Sequence, residues 1–281
     1  MNLLKNMYFK INDFVHAHKE GIPFLVYTVF YLTWFSILEN NVAIPKYVIH
    51  IEADNHIPFL PGFIIPYEIW FVYVLGTVLF FLFTSKNDYW KLFVFLVTGM
   101  TLFLIISTIW PNGQDLRPNL RGNEGFFEAW VLQLYRTDTP TNICPSIHVY
   151  NSLGVEFAIA RSEKLRKHKW IQVLSFILCI LIILSTVFLK QHSLFDVATA
   201  IVLGILMYYL IYYLDILQAF RESREKSRPK KNTSEKTRIK TMQKMLPIWE
   251  ASFLYHISPL SSAELPPPPS SSDPPLSSPK P

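Results

Sequence analysis

Six apolar runs, separated by polar stretches, restrict what this chain can fold into more than any other feature of its sequence. Of the 281 residues, 51% are hydrophobic and only 17% are charged, and the charges collect between the runs and in a C-terminal tail. A helix needs about 20 mostly apolar residues to cross a bilayer. The runs cover residues 22–38, 66–84, 90–110, 147–160, 171–189 and 196–216. The sequence therefore predicts an all-α protein, built as a bundle of six transmembrane helices.

The runs divide the chain into three parts. Residues 1–21 are predicted to form a cytoplasmic N-terminal segment, residues 22–216 the six-helix transmembrane domain, and residues 217–281 a cytoplasmic tail. The tail is basic at first and then rich in Pro and Ser, a composition that cannot build a packed core, so its end is predicted to be disordered. The first run is too long for the apolar part of a signal peptide, and no small-residue cleavage site follows it.

Composition also argues against a disulfide-stabilised protein and against a nucleic-acid-binding protein. The chain has only two cysteines, Cys144 in a loop and Cys179 within the fifth run, so a disulfide framework is not expected. The net charge of +5 arises mainly from the tail, and no segment resembles a module that binds bases or enters a groove. The expected partners are therefore the lipid bilayer and a membrane lipid, and not a nucleic acid.

The distribution of Lys and Arg predicts the orientation of the helices. Cytoplasmic loops of membrane proteins carry an excess of these residues. The stretch before the first run, the loops after the second and fourth runs, and the tail are basic, whereas loops 39–65 and 190–195 hold one Lys each. Loop 111–145 has three Arg and no Lys, which makes it the least clear of the set. This pattern places both termini in the cytoplasm and these three loops on the extracytoplasmic side.

Two polar strings stand at the ends of apolar runs on that side. The string Cys144-Pro145-Ser146-Ile147-His148 leads into the fourth run, and Lys190-Gln191-His192-Ser193-Leu194-Phe195-Asp196 leads into the sixth. Ionisable groups are costly near hydrocarbon and are rarely kept there without a role. Because the predicted topology puts both strings on one face of the membrane, we expect them to form a single site.

The residue types in these strings suit phosphoryl transfer. One histidine can attack phosphorus and carry the phosphoryl group, a second can protonate the leaving oxygen, and a carboxylate can fix the tautomer of the first. His192 and Asp196 are four residues apart, which is about one helical turn, so the carboxylate can reach the imidazole. Together with His148 they are the candidate catalytic residues.

Three further residues are candidates for binding the phosphate. Ser146 is suited to cap a helix that begins before His148, and the N-terminus of such a helix favours an anion. Arg117 offers a guanidinium for bidentate phosphate binding, and Lys190 adds a second cation. Since histidines and cations cover the roles that a metal would play, no metal and no other cofactor is expected.

Loop 111–145 also contains one helical pattern, over residues 124–136. Its apolar residues share one face of that helix: Phe126, Phe127, Trp130, Val131 and Leu134. Such a helix either lies in the membrane interface near the site or packs over the end of the bundle.

The order and spacing of these residues resemble the type 2 phosphatidic acid phosphatase superfamily, which includes vanadium haloperoxidases and sphingomyelin or inositol-phosphorylceramide synthases. The pattern of that family is K-x6-R-P, then P-S-G-H, then S-R-x5-H-x3-D. This chain has Trp110-x6-Arg117-Pro118, Pro145-Ser146-Ile147-His148 and Ser185-Thr186-x5-His192-x3-Asp196. The strings cover residues of about 100 to 200, and the helix layout extends the likeness to roughly 20–216.

The resemblance implies an integral membrane lipid phosphatase that acts on a phosphatidate-like or polyprenyl phosphate through a phosphohistidine. It implies that His192 is the nucleophile, that Asp196 orients it, and that His148 is the general acid. It also implies that Arg117 and Ser146 hold the phosphate.

Three departures from the family pattern leave other functions open. Trp110 and Thr186 stand where the family has Lys and Arg, and Ile147 stands where it has Gly. We hypothesise that Lys190 restores one positive charge. One alternative is a lipid headgroup phosphotransferase, similar to the sphingolipid synthases. Another is a non-catalytic membrane protein of the same fold, in which the histidines and the aspartate only mark helix boundaries.

Overall fold

The computed structural model describes residues 19–41, 45–121 and 125–227. The predictions for residues 1–18 and 228–281, which are most of the N-terminal segment and most of the tail, lie outside the described residues. The helices are α1 (Ile22–Asn41), α2 (Glu52–Asn55), α3 (Ile64–Thr84), α4 (Lys86–Ile109), α5 (Phe126–Thr137), α6 (Ile147–Arg161), α7 (Lys169–Phe188), α8 (Leu194–Tyr208) and α9 (Ile216–Ser227), with single 3-10 turns at Lys19–Gly21 and Pro61–Phe63. The prediction of an all-α fold is confirmed.

Five helical stretches are long and apolar enough to cross a membrane. They are Lys19–Asn40, Pro61–Thr84, Lys86–Ile109, Lys169–Phe188 and Leu194–Tyr213. Their apolar side chains face outward in large number; Leu25, Val72 and Val202, for example, are 65%, 72% and 68% exposed. Soluble monomers rarely present contiguous apolar surface on this scale. The protein is therefore a multi-pass integral membrane protein.

The fourth apolar run forms α6, the central helix of the bundle. It has 15 residues, which corresponds to a length of about 22 Å at 1.5 Å per residue. The hydrocarbon core of a bilayer is about 30 Å thick, so α6 alone is too short to cross it. It packs against α3, α4, α7 and α8, and this contact with protein replaces contact with lipid over much of its surface.

Two helix boundaries differ from the limits of the apolar runs for local reasons. α4 begins at Lys86 and not at residue 90, because the Ser85 hydroxyl accepts a hydrogen bond from the Asp88 N–H at 3.4 Å and caps the helix. The last membrane helix ends in a π-helical turn, Tyr209–Tyr213. Asp215 then takes a φ of 45°, which interrupts the helix before α9 starts.

The loop before α3 and the loop after α4 are joined by backbone pairing. Strand β1 (Tyr47–Val48) lies parallel to β2 (Asn112–Gly113), and the Ile49 N–H donates to the Gly113 carbonyl at 2.7 Å. This pairing holds the loop before α3 against the loop after α4, on the side where α6 and α8 begin.

The amphipathic helix predicted at 124–136 is α5, Phe126–Thr137, and residue 124 lies outside the described residues. Its apolar face divides in two. Val131 and Leu134 are buried against Ile64 and Tyr67 of α3, whereas Phe126 is 75% exposed. The helix thus packs over the end of the bundle with one part of the face and leaves the other part open.

Close packing of α4 on α6 depends on a glycine. A Cβ atom added at Gly99 would overlap the ring of Tyr150, which is fully buried and stacks on Phe95 at 4.5 Å between ring centroids. We expect Gly99→Ala to destabilise the fold by about 1–3 kcal/mol, as overpacking of a filled core does. A thermal unfolding midpoint measured in detergent would show this as a clear decrease.

A matched control lies on α3, where a Cβ added at Gly76 meets nothing within 4 Å. Gly76→Ala should leave the midpoint unchanged or raise it, since Ala favours helix over Gly by about 1 kcal/mol. Equal midpoints for the two variants would contradict the packing argument.

Candidate active site

The turn between α7 and α8 carries the string that contains His192. The Thr186 carbonyl accepts hydrogen bonds from the N–H groups of Gln191 at 2.9 Å and His192 at 3.1 Å. Lys190 takes a positive φ of 53°, which lets the chain reverse within a few residues. Thr186, which stands where the S-R-x5-H-x3-D pattern has Arg, is buried and donates its hydroxyl to the Ile183 carbonyl at 2.8 Å. The backbone thus fixes the position of His192 at the mouth of α8.

Asp196 lies one helical turn further on and faces His192. Its Oδ2 atom is 3.4 Å from His192 Nδ1 and also accepts a hydrogen bond from the Ser193 N–H at 3.0 Å, as part of a capping box. Asp196 is fully buried, and its Oδ1 atom makes no hydrogen bond within the described part of the chain. A buried carboxylate in contact with the imidazole is the arrangement expected of an orienting partner.

His148 lies in the first turn of α6, between two aromatic rings of α3. Its ring centroid is 4.6 Å from that of Tyr67 and 4.3 Å from that of Trp70. The centroid of the His192 ring is 5.8 Å away. The structure therefore brings together two imidazoles that are 44 positions apart in sequence (192 − 148), at a separation that one phosphate group can bridge.

The N-termini of α6 and α8 are bound to each other beside these rings. Ser146 caps α6 by accepting from the Val149 N–H at 3.4 Å, and its own N–H donates to the Asp196 carbonyl at 3.4 Å. The Cys144 Sγ and Thr199 Oγ1 atoms are 3.5 Å apart. Burial raises the pKa of the Cys144 thiol to about 11, so it is not a thiolate at neutral pH. Two helix N-termini, each with partial positive charge, thus converge near the histidines.

The two histidines open onto a small cavity with an interior volume of about 30 Å³. Its apolar wall includes Phe35 and Phe103. Its polar and ionisable lining consists of Asp138, Thr139, Thr141, Asn142, His148, Gln191 and His192. Among the residues that the structure describes, no Lys or Arg lines this cavity.

The segment 138–142 forms the polar wall, and two carboxylates hold it. Glu39, near the end of α1, accepts hydrogen bonds from the Thr139 hydroxyl and, at 2.8 Å, from the Asn142 side-chain amide. Asp138 accepts from the Tyr67 hydroxyl at 2.9 Å and from the Gln191 side-chain amide at 3.3 Å. Burial raises the pKa of Asp138, and the Tyr67 hydroxyl opposes this effect. The cavity is therefore lined by hydrogen-bonding groups and one carboxyl group.

Arg117 lies behind this wall and acts on it through Gln191. Its guanidinium is 4.4 Å from the centroid of the Tyr135 ring, donates to the Tyr135 carbonyl at 3.3 Å, and donates to the Gln191 side-chain oxygen. Burial lowers the pKa of Arg117, although a guanidinium stays charged at any pH relevant to the protein. Arg117 therefore orients Gln191, which does line the cavity.

The Lys190 side chain is directed to a different part of the molecule. Its Nζ atom donates to the Asp54 carbonyl at 2.8 Å, and burial lowers the pKa of this amine. Of the six residues predicted from sequence, the structure brings His148, His192 and Asp196 into one cluster. It places Ser146 and Arg117 next to that cluster, and it binds Lys190 to the loop before α3, at the Asp54 carbonyl.

Most of the residues that complete the cavity carry no signal in the sequence that would have predicted them. Tyr67 and Trp70 lie within an apolar run, and Asp138, Thr139 and Asn142 lie in an irregular loop, so neither periodicity nor spacing marks them. Gln191 is the exception, because it stands between the two candidates Lys190 and His192. No group of three or more His, Cys, Asp and Glu side chains suited to a metal ion occurs in residues 19–41, 45–121 and 125–227.

Residues 89–216 match the family model described as the PAP2 superfamily, and this stretch contains His148, His192 and Asp196. No curated protein and no solved structure matches the chain.

Proposed function

Because residues 89–216 match the family model of the PAP2 superfamily, we propose that the protein is a membrane lipid phosphatase that works through a phosphohistidine. The observation that carries this proposal is the cluster of His148, His192 and Asp196, with 5.8 Å between the imidazole centroids. The match to the PAP2 superfamily supports a phosphatase-type activity, and the membrane helices support a substrate that is itself a lipid, such as a phosphatidate-like or polyprenyl phosphate.

In the first step His192 attacks phosphorus through Nε2. The P–N bond forms as the P–O bond to the lipid breaks, and His148 gives its proton to the leaving oxygen. Asp196 faces Nδ1 of His192 and favours the tautomer that carries its proton on Nδ1, which leaves Nε2 free to attack. In the second step water attacks the phosphohistidine, His148 accepts the proton from that water, and inorganic phosphate leaves as the P–N bond breaks.

The phosphate oxygens need donors in both steps. We propose that the polar wall, with Gln191 oriented by Arg117, supplies part of this set, together with the N-terminus of α6 that Ser146 caps. The ammonium of Lys190 stays hydrogen-bonded to the Asp54 carbonyl, and from there it adds positive charge near the turn that carries His192. By the distribution of Lys and Arg, the site faces the extracytoplasmic side and both termini are cytoplasmic.

A second function, transfer of the phosphoryl-containing headgroup to a lipid hydroxyl, has its own support. Neither Lys nor Arg lines the described cavity, and Asp138 does. A wall of this kind suits a singly charged phosphodiester better than a doubly charged phosphomonoester. The same two histidines would serve both reactions, with a lipid hydroxyl in place of water as the acceptor.

Purified protein in lipid vesicles tests these functions directly. Labelled phosphatidate, a polyprenyl diphosphate, and a labelled phosphodiester lipid with a ceramide-type acceptor are supplied in separate reactions. Release of inorganic phosphate identifies the phosphatase, and label on the acceptor identifies the transferase. Absence of both products with every substrate would contradict an enzymatic function and favour a non-catalytic membrane protein.

A further inference from the structure

Asp54 is a buried carboxylate that none of the sequence motifs includes. It lies in α2, the four-residue helix of the first outer loop, and is only 1% exposed. Its Oδ1 atom accepts a hydrogen bond from the Leu194 N–H at 2.8 Å. Its Oδ2 atom accepts from the Ser193 hydroxyl at 2.6 Å and from the Ile51 N–H at 3.0 Å. A buried carboxylate is costly unless it is fully hydrogen-bonded, and here both oxygens are.

Two of these three donors belong to the N-terminus of α8, directly after His192. The third keeps α2 itself in shape. In addition, the backbone carbonyl of Asp54 accepts from Lys190 Nζ at 2.8 Å. The same residue therefore holds the turn at both ends, at Lys190 before His192 and at Ser193 and Leu194 after it.

The hydrogen bonds continue from Asp54 to the catalytic pair. The Ser193 hydroxyl, which donates to Asp54, also accepts from the Phe195 N–H at 3.1 Å. The Ser193 N–H donates to Asp196 Oδ2, the oxygen that lies 3.4 Å from His192 Nδ1. Ser193 is thus the only residue between Asp54 and the Asp196 carboxylate along this path, and its position sets where that carboxylate meets the imidazole.

The loop that carries Asp54 is itself anchored. His50 contacts Asp115 Oδ1 through Nδ1 and Asn55 Oδ1 through Nε2, each at 2.8 Å. The Leu60 N–H donates to the Phe188 carbonyl, at the end of α7, at 3.0 Å. Together with the β1–β2 pairing, these contacts fix the position of α2. Asp54, which is held in α2, can therefore fix the position of the turn that carries His192.

We propose that Asp54 is a positioning residue for phosphoryl transfer, which acts through Ser193 on the Asp196–His192 pair. This inference rests on the proposed function, because the pair is the reacting centre only if His192 is phosphorylated. Small displacements of a reacting group are enough to reduce turnover by about 10²-fold. The effect of losing Asp54 should therefore appear in the rate of phosphorylation and not in substrate binding.

Asp54→Asn is the first test, because it keeps the size of the side chain, removes the charge, and places an amide N–H group against a donor. We expect kcat to fall by about 10²-fold with KM little changed, and the burst that reports phosphohistidine formation to slow by the same factor. Glu52→Gln is the matched control. It lies in the same short helix but is exposed, and it should retain the parent kcat.

Ser193→Ala supplies the second arm and also covers the case in which Asp54→Asn fails to fold. It removes the hydroxyl that Asp54 binds and should lower kcat with KM retained. The double variant tests the path itself: if Asp54 acts through Ser193, the double variant loses little more than Asp54→Asn alone. Losses that multiply in the double variant would overturn the proposed path.

The outcomes separate this inference from the proposed function. An active parent enzyme with unchanged kcat in Asp54→Asn, or a decrease confined to KM, overturns only the role of Asp54. If the parent forms no phosphohistidine and turns over no substrate, the proposed function fails and this inference fails with it.

Discussion

His192→Ala is expected to abolish turnover of the lipid substrate and to remove the phosphorylated intermediate. Loss of a covalent nucleophile takes away the route through the intermediate altogether, and in comparable enzymes it lowers kcat by roughly 10⁴-fold or more. The fold should survive, since the turn is held by backbone bonds to Thr186 and by the bonds of Ser193 and Leu194 to Asp54.

Two measurements check this result. Protein quenched during turnover of a lipid labelled in its phosphate should carry label that is lost in acid and kept in base, as a phosphohistidine is, and His192→Ala should carry none. His168→Ala is the control, because His168 is an exposed histidine that immediately precedes α7, at the end of that helix opposite the His192 turn. Full activity in His192→Ala, or label retained on another residue, would show that the nucleophile lies elsewhere.

The sequence predicted those features of the fold that depend on short stretches of chain. Apolar length identified the five helices that are able to cross a membrane, and the capping residue Ser146 marked where α6 begins. Helical spacing placed Asp196 against His192. Each of these rests on contacts within about one turn of helix, so a single sequence contains the information.

The features that the sequence could not predict depend on contacts between distant segments. Lys190 is next to the site in sequence, but its positive φ and the Asp54 carbonyl direct its ammonium away from the cavity. Arg117 was predicted to bind phosphate, and in the structure Tyr135 and Gln191 engage it. Asp54 carries no local signal at all, because its partners Ser193 and Leu194 are about 140 positions away in sequence.

His148→Ala is expected to separate the two chemical steps. A general acid contributes about 10²–10⁴-fold, so phosphorylation of His192 by a lipid phosphate, whose alkoxide leaving group needs a proton, should slow by that amount. p-Nitrophenyl phosphate releases a stable phenolate that needs no proton. With this substrate the variant should still form the phosphohistidine at close to the parent rate.

The second step should remain slow with either substrate, because His148 is also the base that activates water. Rapid mixing of the variant with p-nitrophenyl phosphate should therefore give a burst of one nitrophenolate per active site, followed by slow turnover. Ser152→Ala, one turn further along α6, removes only a hydroxyl that donates to the His148 carbonyl and should behave as the parent does. If the phosphorylation rate fell equally with both leaving groups, His148 would be excluded as the general acid. It would then be a polar residue that only packs between the rings of Tyr67 and Trp70.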